Sequence, residues 1–262
     1  MDLALKGKTA IVGGASQGIG YAIAHLLAAE GASIAMVARR REALDDAVRR
    51  VRDETGSMAV AIAADIRKAD DCVRIVDESV TALGSLDILV NNDGAPPLGE
   101  LASFDDFAWD KAIQQNLMSV VRLCRGALPH FASRGGGRIV NITALSTLQP
   151  MARFGLSVAT WAGVLGYAKT LSLEIATANI TVNTICPGRI ATGRLAKVFG
   201  APGQDDELDA KQREALIAGI PMRRIGSPEE IAGLVAFLAS PYGAYITGSV
   251  FHVDGGRRAS LI

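Results

Sequence analysis

In the segment Gly13-Gly14-Ala15-Ser16-Gln17-Gly18-Ile19-Gly20, three glycines stand in the spacing Gly14-x-x-x-Gly18-x-Gly20, between an apolar run and an amphipathic stretch. Glycine permits a tight turn there and lets the backbone approach a pyrophosphate, which the free N–H groups and dipole of a helix start attract. Ser16, Gln17 and Ile19 complete this turn, and the order strand, turn, helix sets it apart from a glycine turn that is only structural. The next apolar run ends in Met36-Val37-Ala38-Arg39-Arg40-Arg41. A site for NAD(H) usually places an acid at this point to hold the ribose hydroxyls. Arg39 and Arg40 instead offer guanidinium groups, whose paired donors suit a ribose 2′-phosphate, so NADP(H) is expected in preference to NAD(H). The plain alternative is a solvated helix start with arginines of no specific role.

Such a turn needs strands that end together. Short runs rich in β-formers recur at Thr9 to Val12, Ser33 to Val37, Ala59 to Ala63, Leu86 to Val90, Arg138 to Ile142, Thr181 to Ile185 and Ser249 to Val253. Between them, stretches such as Ile19 to Glu30 and Arg41 to Thr55 carry apolar residues at helical spacing. The alternation predicts an α/β fold of Rossmann type: a doubly wound, mainly parallel sheet of seven strands with helices on both faces, in one domain over 1–262. Right-handed crossovers would gather the strands' carboxyl ends at one edge, where such sheets bind ligands. The stretch 190–220 breaks the rhythm with Gly193, Gly200, Gly203 and the acidic run Asp205-Asp206-Glu207. It is expected to form a lid over the substrate, a disordered surface loop being the alternative. Leu195, Val198, Phe199, Leu216 and Ile217 in it point to a partly hydrophobic substrate.

Charge balance argues against nucleic acid and anionic membranes as partners, since 27 basic residues offset 27 acidic ones. The chain has no uninterrupted apolar run of spanning length and no apolar signal core, and no membrane association is expected. Cys72, Cys124 and Cys186 are widely spaced, without metal-ligand spacing, so no metal is expected and a reducing, cytoplasmic setting is.

With these motifs in place, the chain resembles the classical short-chain dehydrogenase/reductases over nearly its whole length. Asp65-Ile66 looks like the family's adenine-contacting pair, and Asn91-Asn92-Asp93-Gly94 like its Asn-Asn-Ala-Gly motif. Asn116 matches the family's helix asparagine, Pro187-Gly188 the turn beside the nicotinamide, and Val253-Asp254-Gly255-Gly256 the last strand's signature. The resemblance implies a cofactor site that includes Asp65, Ile66, Asn92, Gly94, Pro187, Gly188, Ile190 and Thr192, and a homotetramer or homodimer. It also implies a proton relay of serine, tyrosine, lysine and asparagine. Here the sequence departs: those positions fall on Ala144, Ser157 and Trp161, with only Asn116 kept. A shifted frame does not restore them, because Tyr167 and Lys169 are two residues apart and point to different sides of a helix.

A phenol beside a cation can be tuned toward neutral pH, but an aliphatic hydroxyl such as Ser157 cannot, so Ser157 is expected at most to orient a substrate oxygen. Candidate replacements are Asp93, which stands where the family has alanine, and Ser146, just past the fifth strand. Asp93 has the alternative role of a loop cap. Thr143 would face away from Ala144 if the strand persisted. Arg153 reads as a surface arginine, with holding an anionic or carbonyl group as the alternative, while His25, His130, His252 and Cys186 read as structural. The expected activity is oxidation or reduction of a carbonyl or alcohol by a divergent, NADP(H)-binding oxidoreductase. A non-redox lyase or retro-aldol enzyme and a catalytically inactive cofactor-binding subunit are the alternatives.

Overall fold

The computed structural model describes residues 2–94, 96–199 and 209–261. Alternation of strand and helix is complete: β1 (Thr9–Gly13), α1 (Gly18–Ala29), β2 (Ser33–Ala38), α2 (Arg41–Thr55), β3 (Ala59–Ala63), α3 (Ala69–Leu83) and β4 (Ile88–Asn91) come first. There follow α4 (Asp106–Ala112), a π-helical segment (Ile113–Met118), α5 (Ser119–Ser133), β5 (Gly137–Ile142), α6 (Gly155–Ile175) and β6 (Ile180–Pro187). The described chain closes with α7 (Gly193–Phe199), α8 (Ala210–Ala218), α9 (Pro228–Ala239) and β7 (Val250–Val253).

The seven strands form one sheet in the order β3-β2-β1-β4-β5-β6-β7, and every pairing is parallel. The order reverses between β1 and β4, which opens a crevice beyond their carboxyl ends. Strands buried on both faces read as continuous apolar runs, and their side chains alternate between two cores. Ala10, Val12, Ile34 and Met36 face the core built with α1, α2 and α9. Ile11, Ala35 and Val37 face the one built with α3, α5 and α6. β4 begins at Ile88 rather than Leu86; just before it Asp87 takes the Thr9 N–H on its carboxylate at 3.0 Å and gives its own N–H to the Thr9 carbonyl at 3.0 Å.

The expected stretch 190–220 contains α7 and α8, and an isolated parallel bridge joins Ile190 to Gly226. Gly200, Gly203 and the acidic run Asp205-Asp206-Glu207 lie outside the described residues. Among the described residues, no helix is long and apolar enough to cross a membrane, and no three His, Cys, Asp or Glu side chains converge as metal ligands.

Candidate active site

At the carboxyl edge, the turn after β1 is closed so tightly that side chains have no room. Gly14 has φ +59°, and a Cβ on Gly20 would stand 2.3 Å from the Gly14 carbonyl oxygen. The Asn92 side-chain amide locks the turn to the end of β4 by donating to the Gly13 carbonyl at 2.9 Å. At the start of α1, Gln17 makes no side-chain cap, and no acidic residue occupies the first turn, so the helix's free N–H groups face the opening. These features fit an anionic pyrophosphate.

The opening is a groove of about 1880 Å³, its mouth included, lined by the turn from Gly14 to Gly20, by Arg39 and Arg40, by Ala64 and Ile66, and by Asn92 to Gly94. Arg40 donates to the Gln17 side-chain oxygen at 3.2 Å, tying the end of β2 to the start of α1. Among the described residues that line the groove, Asp93 is the one acid, and Asp65, just off the wall, also feels the Arg39 charge. Asp65 is placed differently from Ile66: its carboxylate takes the Arg67 guanidinium at 2.5 and 2.8 Å and stays off the groove wall. Those hydrogen bonds, outweighing the opposing effect of burial, lower the Asp65 pKa.

The groove runs into a second pocket of about 860 Å³, and Ile19, Asn92, Asp93, Thr192 and Arg194 line both. Pro187, Gly188 and Ile190 form one wall of this pocket, Ala144 and Ser146 another, and Leu195, Val198 and Phe199 of α7 a third. Asp93 is half-buried at the junction. Burial raises its pKa to about 6, although the Gly94 N–H and the Arg39 charge work against the rise. Ser146 is buried, and its hydroxyl has no hydrogen-bond partner. β5 ends at Ile142, so strict alternation stops, and Thr143 and Ala144 both reach the pocket.

Behind the junction lies an inner cavity of about 500 Å³, lined by Asn91, Asp93, Asn116, Asn141 and Trp161 among others. Asn91 donates to Asn141 at 2.8 Å across β4 and β5, and Asn116 donates to the Thr160 hydroxyl at 2.8 Å. The Asn91 and Asn116 carbonyl oxygens and the Asn141 amide nitrogen are buried without partners. Asn116 sits in the π-helical segment, whose extra residue per turn re-aims side chains. On α6, Ser157 is 1% exposed with its hydroxyl unpartnered. It lies off the walls of groove, pocket and cavity, whereas Trp161, on the same face one turn later and far larger, lines the last two. None of the described residues lining these three spaces is a tyrosine, lysine or histidine. Tyr167 instead packs against Cys124, and burial raises its pKa above the usual value, while Lys169 is exposed. Arg153 is also exposed and off the pocket wall.

A family model described as enoyl-(acyl carrier protein) reductase matches residues 14–258. Nodulation protein G of Rhizobium sp. (strain N33) is 37% identical over 252 residues, covering 96% of this chain and 97% of that protein. Dehydrogenase/reductase SDR family member 4 of Bos taurus is 33% identical over 258 residues, covering 98% and 89% respectively. The chain belongs to the short-chain dehydrogenase/reductase family. The crystal structure of L-sorbose reductase from Gluconobacter frateurii, complexed with NADPH and L-sorbose, matches with a TM-score of 0.93 at 33% identity, each chain covered over 100% of its length.

Among short-chain dehydrogenase/reductases, then, this one brings Asp93, Asn116 and Ser146 to connected spaces and keeps Ser157 off them. Three arginines on the pocket wall, Arg189, Arg194 and Arg257, were not legible as a group in the sequence. The only local signal is that Arg189 follows Pro187-Gly188 and Arg257 follows Gly255-Gly256. Their convergence depends on β6 pairing with β7, which sets Pro187 beside Val253.

Proposed function

We propose that this protein is an NADP(H)-dependent oxidoreductase of a carbonyl or alcohol that works without the family's serine, tyrosine and lysine. The observation that carries this is the continuous cleft: an anion-accepting turn, an arginine-lined groove and a half-apolar pocket joined at Asp93. The turn from Gly14 to Gly20, with Ser16, Gln17, Gly18 and Ile19, would hold the pyrophosphate, and Arg39 with Arg40 the 2′-phosphate. Ile66, beside Asp65, would take the adenine, Asn92 and Gly94 the adjoining ribose, and Pro187, Gly188, Ile190 and Thr192 the nicotinamide. The NADPH bound in the L-sorbose reductase supports this choice of cofactor. When bound, the nicotinamide supplies or accepts the hydride.

Proton handling falls to the chain's own residues. Ala144 and Trp161 have no acid–base function, and Ser157 lies off the cleft, so Asp93 is the titratable group nearest the junction. With a pKa of about 6, it can release or take up a proton near neutral pH. Ser146 offers a hydroxyl to orient the substrate oxygen, and Asn116 keeps its buried carbonyl toward the inner cavity. Loss of general acid–base help of the usual kind slows turnover by about 10²- to 10⁴-fold, while hydride geometry survives. We further read α7 and α8 as a lid, and the protein as a cytoplasmic homotetramer or homodimer. Phe107 and Leu173, large exposed apolar residues on α4 and α6, support the association.

The test is transfer of deuteride from 4-deuterated NADPH to a panel of ketones and aldehydes, read by mass in the product. Deuterium in an alcohol product supports the reading, and its absence across the panel refutes it. The lack of tyrosine, lysine and histidine among the described residues of the cleft favours a second reading, a lyase that acts through Asp93 and the pocket arginines. Carbon–carbon cleavage without added cofactor would establish it instead.

A further inference from the structure

Just past the ends of the paired strands β6 and β7, Arg189 and Arg257 turn into one pocket. Arg189 is fixed from two sides: one of its terminal nitrogens donates to the Leu216 carbonyl, and its guanidinium lies 5.3 Å from the centre of the Phe199 ring. Its Nε is buried and has no hydrogen-bond partner. Arg257 rests a terminal nitrogen 3.5 Å from the Met151 sulfur, a weak acceptor. Among the described residues, no carboxylate forms an ion pair with either arginine. Burial and the charge of Arg257 both lower the Arg189 pKa, so the two cations feel each other.

Guanidinium groups do not discharge by losing a proton at physiological pH. Two of them held close in a part-desolvated wall repel unless an anion lies between them, and their donor forks match a carboxylate or a phosphate. The apolar part of the wall is formed by Phe154, Trp161, Leu195 and Val198 among others. Asp93, the acid among the described residues on the wall, stands at the groove junction, where it acts on Arg194. We propose that the pocket takes an anionic carbonyl compound, with Arg189 and Arg257 holding a carboxylate or phosphate head and the α7 wall covering a short apolar body. As a statement of substrate class it rests on the oxidoreductase reading, and as a statement of binding it stands apart from it.

The test is calorimetric binding, without turnover, of hexanoate, hexyl phosphate and neutral hexanamide to the full chain in the presence of NADP⁺ and in its absence. At least one anion is expected to bind about tenfold or more tightly than hexanamide, and the preferred anion identifies the head group. Arg257→Gln should remove the preference and Arg257→Lys should retain part of it, because the lysine keeps the charge and loses the fork. Arg189→Gln provides a second variant with the same expected loss. Equal binding of hexanamide and both anions, or binding of none, overturns the assignment. Anion preference without deuteride transfer sinks the redox reading and leaves the pocket assignment standing.

Discussion

Replacing Asp93 by asparagine should stabilise the protein at neutral pH and leave it unchanged in acid. The native carboxyl titrates at about 6, against 3.8 for the unperturbed group, with burial the main cause. Between those values the folded state binds more protons than the unfolded chain, so stability falls as pH rises through the window. Above about pH 6 the full penalty of the buried charge applies, and below about pH 4 it vanishes. A shift of roughly two units corresponds to about 3 kcal/mol. Asp93 is only half-buried, and solvent screening reduces this to about 1.5–3 kcal/mol. For a chain of this size that is roughly 3–10 °C in melting temperature. Asparagine keeps a carbonyl to accept the Gly94 N–H, so no hydrogen bond need be lost. Thermal unfolding of both proteins from pH 4 to 8 gives the assay. The two curves should coincide at pH 4 and separate through pH 6, with the variant higher. Parallel curves, or a variant less stable at pH 7.5, would refute the assignment of a raised pKa to Asp93.

Other perturbations probe the rest of the account. Arg39→Gln should weaken NADPH binding roughly 10- to 100-fold and leave NADH almost unchanged if Arg39 pairs with the 2′-phosphate as proposed; paired titrations check this. Installing Ser157→Tyr, Trp161→Lys and Ala144→Ser together should raise kcat by about 10²- to 10⁴-fold on any ketone that the wild type reduces, as steady-state kinetics would show. Asp87→Ala should destabilise the fold by about 2–4 kcal/mol in denaturant titrations, since the buried carboxylate accepts from the Thr9 N–H and hydroxyl and pairs with Lys8 and Arg134. Burial alone would raise the Asp87 pKa, but the Thr9 and Lys8 contacts outweigh it and the net shift is downward. Its contribution is therefore present above the ordinary carboxylate value and is lost as pH falls through the lowered one.

The fold was legible because its signal is local and repeated. The five inner strands bury both faces and the edge strands β3 and β7 keep the same apolar composition, so the apolar runs mark all seven strands to within two residues at their starts, and β3 in full. Gly14, Gly18 and Gly20 could be read for the same reason, since one turn contains both the constraint and its residues. What the sequence hid depends on side-chain direction or on contacts between distant strands. Ser157 and Trp161 share a helix face, yet only the larger side chain reaches the cleft. Asp65 has the expected place in the chain, but the guanidinium two residues on captures its carboxylate. Arg153 is exposed, as its reading as a surface arginine expects, while Arg189 and Arg257, 68 residues apart in number, meet because β6 lies beside β7.

On the proposed function, the cleft takes a 2′-phosphorylated nicotinamide dinucleotide. Calorimetric titration of the purified protein with NADPH and, separately, with NADH tests it without any assumption about substrate. Micromolar NADPH affinity with NADH at least about tenfold weaker is the predicted result. Equal affinity would remove the role given to Arg39 and Arg40, and no binding of either would contradict the account as a whole.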